Sequence, residues 1–217
     1  MAGPLTPRLD HPTDVPFRPG LPTCCATMVG REPLEPEAHM MLTSRLATEA
    51  DLPTLTAIMD DAIGTLQKGF LTEEQIASSR AIMGLDRQLV SDGTYYVVEV
   101  DGEIVGCGGW SRRATLYGSD STPGRDAHLL DPAVDAARVR AMFTSPRFAR
   151  QGVGRLILEL CESAAAAEGF TRLRLMGTRA GEPLYTAYGF VARERLEDST
   201  GGAPVPLVRM EKPIDRR

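Results

Sequence analysis

Three arginines and two glycines crowd the stretch RFARQGVGRLIL, Arg147–Leu158, just ahead of an apolar run. The first backbone N–H groups of a helix lack intrahelical partners and carry partial positive charge, so cations at that entrance are mildly disfavoured. An anion seated there would offset both the dipole and the side chains of Arg147, Arg150 and Arg155. Gly152 and Gly154, without Cβ atoms, would let it approach the backbone. The alternative is a tight turn with solvated arginines. A dinucleotide fingerprint begun at Gly152 would want a third glycine where Ile157 stands, and the chain has no G-K-[ST], so both nucleotide patterns are unmet.

The other reactive side chains form no constellation. Cys24 and Cys25 are adjacent, Cys107 and Cys161 are isolated, and neither a C-x-x-C clip nor a disulfide framework results. His11, His39 and His128 are scattered, so no metal site is expected. Cys107 among glycines and Cys161 on an apolar helix face read as core. Trp110 fits a core position or an acceptor-pocket wall equally well. Asp60 and Asp61 read as a solvated helix face. A net charge of −5 removes the electrostatic footprint of a nucleic-acid binder. No apolar run is long enough to span a bilayer and no secretory signal is legible, so a cytoplasmic location is expected.

These residues need a scaffold, and the chain supplies its elements in order. Eight of the sixteen prolines precede residue 41, with little apolar periodicity among them, so residues 1–40 read as a disordered leader or an over-called start. Residues 41–217 read as one domain. Leu42–Leu46 is a short predicted strand. Thr48 with Asp51, and Thr72 with Gln75, have the spacing of helix capping boxes. The first helix would bury Leu52, Leu55, Ile58, Met59, Ala62 and Ile63, and the second would run through Ile76 toward Met83. TYYVVEV and EIVGCGGW flank Asp101-Gly102, a pair suited to a tight hairpin turn. After a polar loop, ARVRAMFT reads as a buried strand leading into the arginine-rich turn. Strict alternation along it would set Arg138, Arg140, Met142 and Thr144 on one face and Val139, Ala141 and Phe143 on the other. The helix from about Gly152 is followed by the strand RLRLM, a short helix with turn in GEPLYTAYGF, and a last strand PVPLVRM. The order implies an α/β (α+β) fold with a mixed sheet.

From Leu42 to Lys212 the chain resembles the GNAT superfamily of acyl-CoA-dependent N-acyltransferases. Gly152 and Gly154 match that family's [R/Q]-x-x-G-x-[G/A] helix start, with Pro146, Phe148 and Arg155 in the usual flanking pattern. Ala149 stands at the Arg/Gln position, with Arg150 one place later. LYTAYGF is similar to the family's Leu-Tyr-x-x-x-Gly-Phe ending, and VVEVDGEIVGCGGW to its second and third strands. The resemblance implies a mostly antiparallel central sheet flanked by helices, whose central strands splay to admit the pantetheine of acetyl-CoA. It implies that Phe143 and Thr144 offer backbone groups to the pantetheine amides. Arg150, Gln151, Gly152, Val153, Gly154 and Arg155 would hold the pyrophosphate, mostly through N–H groups.

The implied reaction is direct attack of a primary amine on the thioester. A lysine-like amine of pKa ~10.4 must be presented neutral, and the departing thiolate, of pKa about 8.5, must be met by a donor. Tyr185 is the expected acid and Tyr188 a packing residue. The base is not legible: Asp131, Asp135, His128 and a water chain are the alternatives. The expected partner is a small-molecule amine, with at most a second copy in a homodimer, and neither nucleic acid nor membrane. A non-catalytic acyl-CoA-binding sensor is the contrasting class.

Overall fold

The computed structural model describes residues 41–120 and 126–214. The proline-rich leader, with Cys24, Cys25, His11 and His39, lies outside the described residues.

Both expected capping boxes form. The Thr48 N–H donates to Asp51 Oδ2 at 2.7 Å, and Arg45 holds Asp51 and Glu99 at 2.8 and 2.9 Å. They join strand β1 (Thr43–Leu46) to helix α1 (Leu52–Leu66), which buries Leu55, Ile58, Ala62 and Ile63. Thr72 and Gln75 exchange bonds of 3.1 and 3.3 Å at the start of helix α2 (Glu73–Ile82). A short helix α3 (Arg87–Ser91), opened by the Asp86 carboxylate, was not expected from the sequence. The hairpin β2 (Tyr95–Val100) and β3 (Glu103–Ser111) turns on Asp101 and Gly102 with φ of 50° and 82°, as that dipeptide favours.

The second half alternates strands and helices: β4 (Ala137–Thr144), α4 (Val153–Ala167), β5 (Arg172–Thr178), α5 (Glu182–Ala187), β6 (Val191–Asp198) and β7 (Val205–Pro213). Seven strands form one sheet in the order β1-β2-β3-β4-β5-β7-β6. Every neighbouring pair is antiparallel except β4 and β5. That parallel pair meets only at Ala137 with Leu173 and Arg138 with Arg174. Beyond those residues the two strands diverge and leave a gap in the middle of the sheet.

Apolar side chains close both faces. Ile157 and Leu158 of α4 share a core with Val139, Leu173, Leu175 and Met210 of the sheet. Leu55 and Ile63 of α1 share a second core with Leu89, Val97 and Phe143, and Ile82 of α2 a smaller one with Val205 and Leu207. Trp110, 1% exposed, packs edge-on to Phe170 at 5.9 Å in the α4 core, which settles its two readings in favour of the core.

The alternation expected along β4 is broken. Cys107 faces Phe143 but Gly109 faces Arg140, so β4 has one extra residue, and Ala141 takes φ 50°. Left-handed backbone costs a non-glycine residue roughly 1–2 kcal/mol. The buried Tyr95 hydroxyl supports it by donating to the Ala141 carbonyl at 2.7 Å. The bulge carries Phe143 onto the face of Arg138 and Arg140, against the strict two-residue period.

Candidate active site

The turn after β4 delivers the helix entrance that the arginine-rich stretch anticipates. Gly152 is the N-cap of α4 with φ 90°, and Arg150 also has positive φ, 65°. No side chain caps the helix, and Leu156 is the first to bond back, donating to the Gly152 carbonyl at 3.0 Å. Among the described residues, the N–H groups of Gly152, Val153, Gly154 and Arg155 have no backbone or side-chain acceptor. They are the donors an anion would use. Val153 gives only its N–H, because its side chain is 1% exposed in the core.

The three arginines are not equivalent. Arg147 pairs with Glu103 and lies over the Phe148 ring, and Arg155 pairs with Glu159 at 3.0 Å and lies over Tyr188. Arg150 is exposed and makes no ion pair among the described residues. Gln151 donates to the Arg147 carbonyl at 3.0 Å and so braces the turn. The two glycines also serve different ends. Gly152 is required by its backbone angle, since a Cβ there would meet nothing closer than 3.6 Å. A Cβ on Gly154 would lie 2.7 Å from Leu184 Cδ2, so this glycine lets α5 approach α4. The missing side chain of Gly154 thus makes room for Leu184, and its backbone N–H remains available at the helix entrance.

The strand edge needs a second correction. The Ser145 N–H donates to Val105 of β3 at 2.8 Å. Backbone groups alternate sides along a strand, so Phe143 also points its N–H and C=O at β3, while Met142 and Thr144 direct theirs into the gap. The backbone of Thr144 thus faces the gap together with that of Met142, which the sequence reading did not single out, while Phe143 faces β3 and contributes a buried side chain.

Tyr185 sits on the far edge of the gap. Its ring lies where a Cβ on Gly177 of β5 or on Gly181 would come within 3.0 and 2.9 Å. The LYTAYGF ending is a helix stop: Gly189 has φ 103°, Phe190 N–H reaches the Tyr185 carbonyl at 2.9 Å, and Gly189 N–H reaches Thr186 at 3.0 Å. This is the Schellman pattern, completed by the edge-on Tyr185–Phe190 ring contact at 6.1 Å. The Tyr185 hydroxyl makes no hydrogen bond among the described residues, and burial pushes its pKa up to about 12. Tyr188 packs under Lys212 and Arg155, at 5.4 and 6.0 Å from its ring. Burial and Glu162 raise its pKa further still.

No carboxylate is brought to the gap from the expected loop. Asp131 accepts from Ala133 at 2.9 Å, Asp135 from Asp131 at 3.0 Å, and His128 pairs with Asp126 at 2.7 Å, all within their own turns. Asp60 pairs with Arg80 at 2.7 Å and Asp61 accepts from Thr65 at 3.1 Å, as a solvated helix face would. Cys107 is buried against the Tyr95 hydroxyl and its thiol is pushed up to about 12, which leaves it protonated at neutral pH and unsuited to carrying an acyl group. While Tyr185 turns to the opposite face of α5, against the α4 core, a cavity of about 500 Å³ opens between the α1–α2 turn and α5, lined by Phe70, Arg179, Glu182 and Thr186. Phe70, 46% exposed at its mouth, carried no signal in the sequence beyond its place in the turn.

Residues 91–192 match the family model described as an acetyltransferase (GNAT) domain. That stretch of the chain is therefore a GNAT acetyltransferase domain. Acetyl-CoA is the acyl donor of these enzymes, and the open helix entrance and divided sheet fit it. Among solved structures, the GCN5-related N-acetyltransferase of Rhodopseudomonas palustris superposes with a TM-score of 0.61 at 20% identity, over 80% of this chain and 97% of that one. The PaiA N-acetyltransferase of Thermoplasma acidophilum, solved in complex with coenzyme A, gives 0.54 at 17% identity, over 80% and 99%. The ribosomal-protein-alanine N-acetyltransferase of Brucella melitensis gives 0.53 at 21% identity, over 79% and 99%. At these identities the likeness is one of fold. No curated protein sequence matches.

Among the described residues, no group of His, Cys, Asp and Glu could hold a metal ion, and no helix is long and apolar enough to cross a membrane.

Proposed function

We propose that this GNAT protein transfers an acetyl group from acetyl-CoA to the primary amine of a small molecule. The observation that carries the reading is the unpartnered Tyr185 hydroxyl, seated on β5 where β4 and β5 part. Met142 and Thr144 would bind the pantetheine amides along the edge of β4. The N–H groups from Gly152 to Arg155 would bind the pyrophosphate, with Arg150 adding charge beside it. The donor supplies an activated carbonyl: the amine nitrogen forms the new C–N bond as the C–S bond breaks.

Tyr185 donates a hydrogen bond to the departing sulfur. Complete proton transfer from a phenol held near 12 to a thiolate of pKa about 8.5 is uphill by roughly 5 kcal/mol, so stabilisation by the donated bond is its main contribution. The amine's own proton is passed to water. A small acceptor suits a cavity of about 500 Å³, which falls within the range of small-molecule sites.

The test is a panel of primary amines with acetyl-CoA, followed by release of free thiol. Turnover of at least one amine supports the enzyme. Tight CoA binding with no thiol release from any amine would favour a non-catalytic acyl-CoA sensor.

A further inference from the structure

Arg138 is 7% exposed, yet among the described residues no carboxylate lies within ion-pair distance of it. Its guanidinium donates only to backbone, from Nη1 to Ala136 at 2.9 Å and from Nε to Ala114 at 3.4 Å. Nη2 has no hydrogen bond among the described residues. A buried cation without a counter-charge is costly, and burial is the main cause that lowers its pKa; Asp135 and Glu211 act on it only at a distance.

Its position gives that charge a use. Arg138 is the last β4 residue paired with β5, opposite Arg174, so it stands at the closed end of the gap. Ala137 and Val139 point to the α4 core, which turns Arg138 to the opposite face, the one that carries α1 and α2. Arg174 and Arg209 share that face but are held by Glu211, at 2.6 and 3.2 Å, and Arg209 also by Glu194 at 3.0 Å. Their carboxylates are thus engaged elsewhere, and Arg138 remains as the uncompensated charge. Gly177, against which Tyr185 lies, is three residues on from Arg174 along β5, roughly 10 Å at the rise of a strand, but on the α4 face, so a molecule that joins Tyr185 to Arg138 must pass through the gap.

We propose that Arg138 recognises a carboxylate on the acceptor, so that the natural substrate is an ω-amino carboxylate whose amine reaches Tyr185 while its acid end lies at the closed end of the gap. This rests on the acetyl-transfer reading above. A planar guanidinium with a free edge suits a carboxylate better than an ammonium would, and its burial excludes competing water.

The experiment compares ω-amino carboxylates of increasing chain length with the alkylamines that lack the acid group, in the parent protein, Arg138→Met and Arg138→Lys. In the parent, kcat/KM should favour the carboxylate member by on the order of tenfold to a hundredfold at the best length, the worth of a charge-assisted bond. Arg138→Met should bring that ratio near one and leave the melting temperature equal or higher, because it removes an unpaired buried charge. Arg138→Lys should give an intermediate ratio. A parent ratio near one, or a ratio that survives in Arg138→Met, overturns the proposal. If Arg138→Met does not fold, the parent and Arg138→Lys ratios decide. If no amine is turned over although CoA binds, catalysis fails as a reading. The Arg138 assignment is then judged by whether ω-amino carboxylates, and not alkylamines, raise the melting temperature of the CoA-loaded protein; equal shifts refute it.

Discussion

Replacing Tyr185 by Phe removes one hydroxyl and little else. The ring keeps its seat against Gly177 and Gly181 and its contact with Phe190 at 6.1 Å. The lost oxygen has no partner among the described residues, so folding loses no internal hydrogen bond, and stability should change by less than about 0.5 kcal/mol. What disappears is a donor to a sulfur that becomes charged only as the thioester breaks. A hydrogen bond to a charged group contributes about 1.5–3 kcal/mol, which is roughly a 10- to 150-fold fall in kcat. The KM for acetyl-CoA should stay within about twofold, because the interaction is absent from the ground state. The assay is initial-rate thiol release with an accepted amine from pH 6 to 10, beside a thermal melt of both proteins. With the phenol held near 12, Tyr185 should add no falling limb below pH 10. An unchanged kcat, a loss confined to KM, or a parent falling limb near pH 8–9 that vanishes in the variant would each refute the role.

Three further outcomes follow from packing and charge. Gly154→Ala places a methyl group 2.7 Å from the end of the Leu184 side chain and should lower stability by up to about 1 kcal/mol as that side chain shifts, with melting restored when Leu184→Ala is added; failure of that rescue would deny the contact. Tyr95→Phe leaves the Ala141 carbonyl without its buried donor and should lower stability by about 1–3 kcal/mol in a denaturant titration, with CoA affinity reduced through the distorted β4 edge. Alkaline pH should destabilise the fold. The Cys107 thiol and the Tyr185 phenol both have raised pKa values of about 12, so they hold protons more tightly folded than unfolded. Their contributions are full below the unfolded values and fade as pH rises toward 12, which melts taken between pH 8 and 11 will reveal.

Local signals were legible in the sequence and long-range ones were not. The capping residues Thr48 and Thr72, the Asp101-Gly102 turn and the Gly152 helix entrance each act within a few residues, and each forms as read. Strand β6, VARERLED, was missed because it has no apolar alternation: it is an edge strand, mostly exposed, held by its pairing to β7. Helix α3 is too short to display a period, and the Asp86 carboxylate that opens it also meets Arg140, far along the chain. The extra residue at Ala141 is invisible locally because its cause is a hydroxyl on β2. That one insertion decides whether Phe143 or Met142 presents its backbone to the gap. Tyr185 was singled out through the LYTAYGF pattern, whose physical content in the structure is the helix stop at Gly189. The lone charge of Arg138 could not be seen at all, since only the fold shows which carboxylates are already taken.

The brief meeting of β4 and β5 has a mechanical consequence. A sheet transmits load through its ladder of hydrogen bonds, and here the ladder between β1–β4 and β5–β7 narrows to the rungs at Ala137 and Arg138. The two halves are two plates joined by a short seam, with α4 laid across them as a strap through Ile157, Leu158 and Cys161. Motion at the seam would widen or narrow the whole slot at once, because each plate is stiffened by its own antiparallel rungs. Amide exchange should therefore divide the protein into two cooperative blocks, with the boundary at the seam.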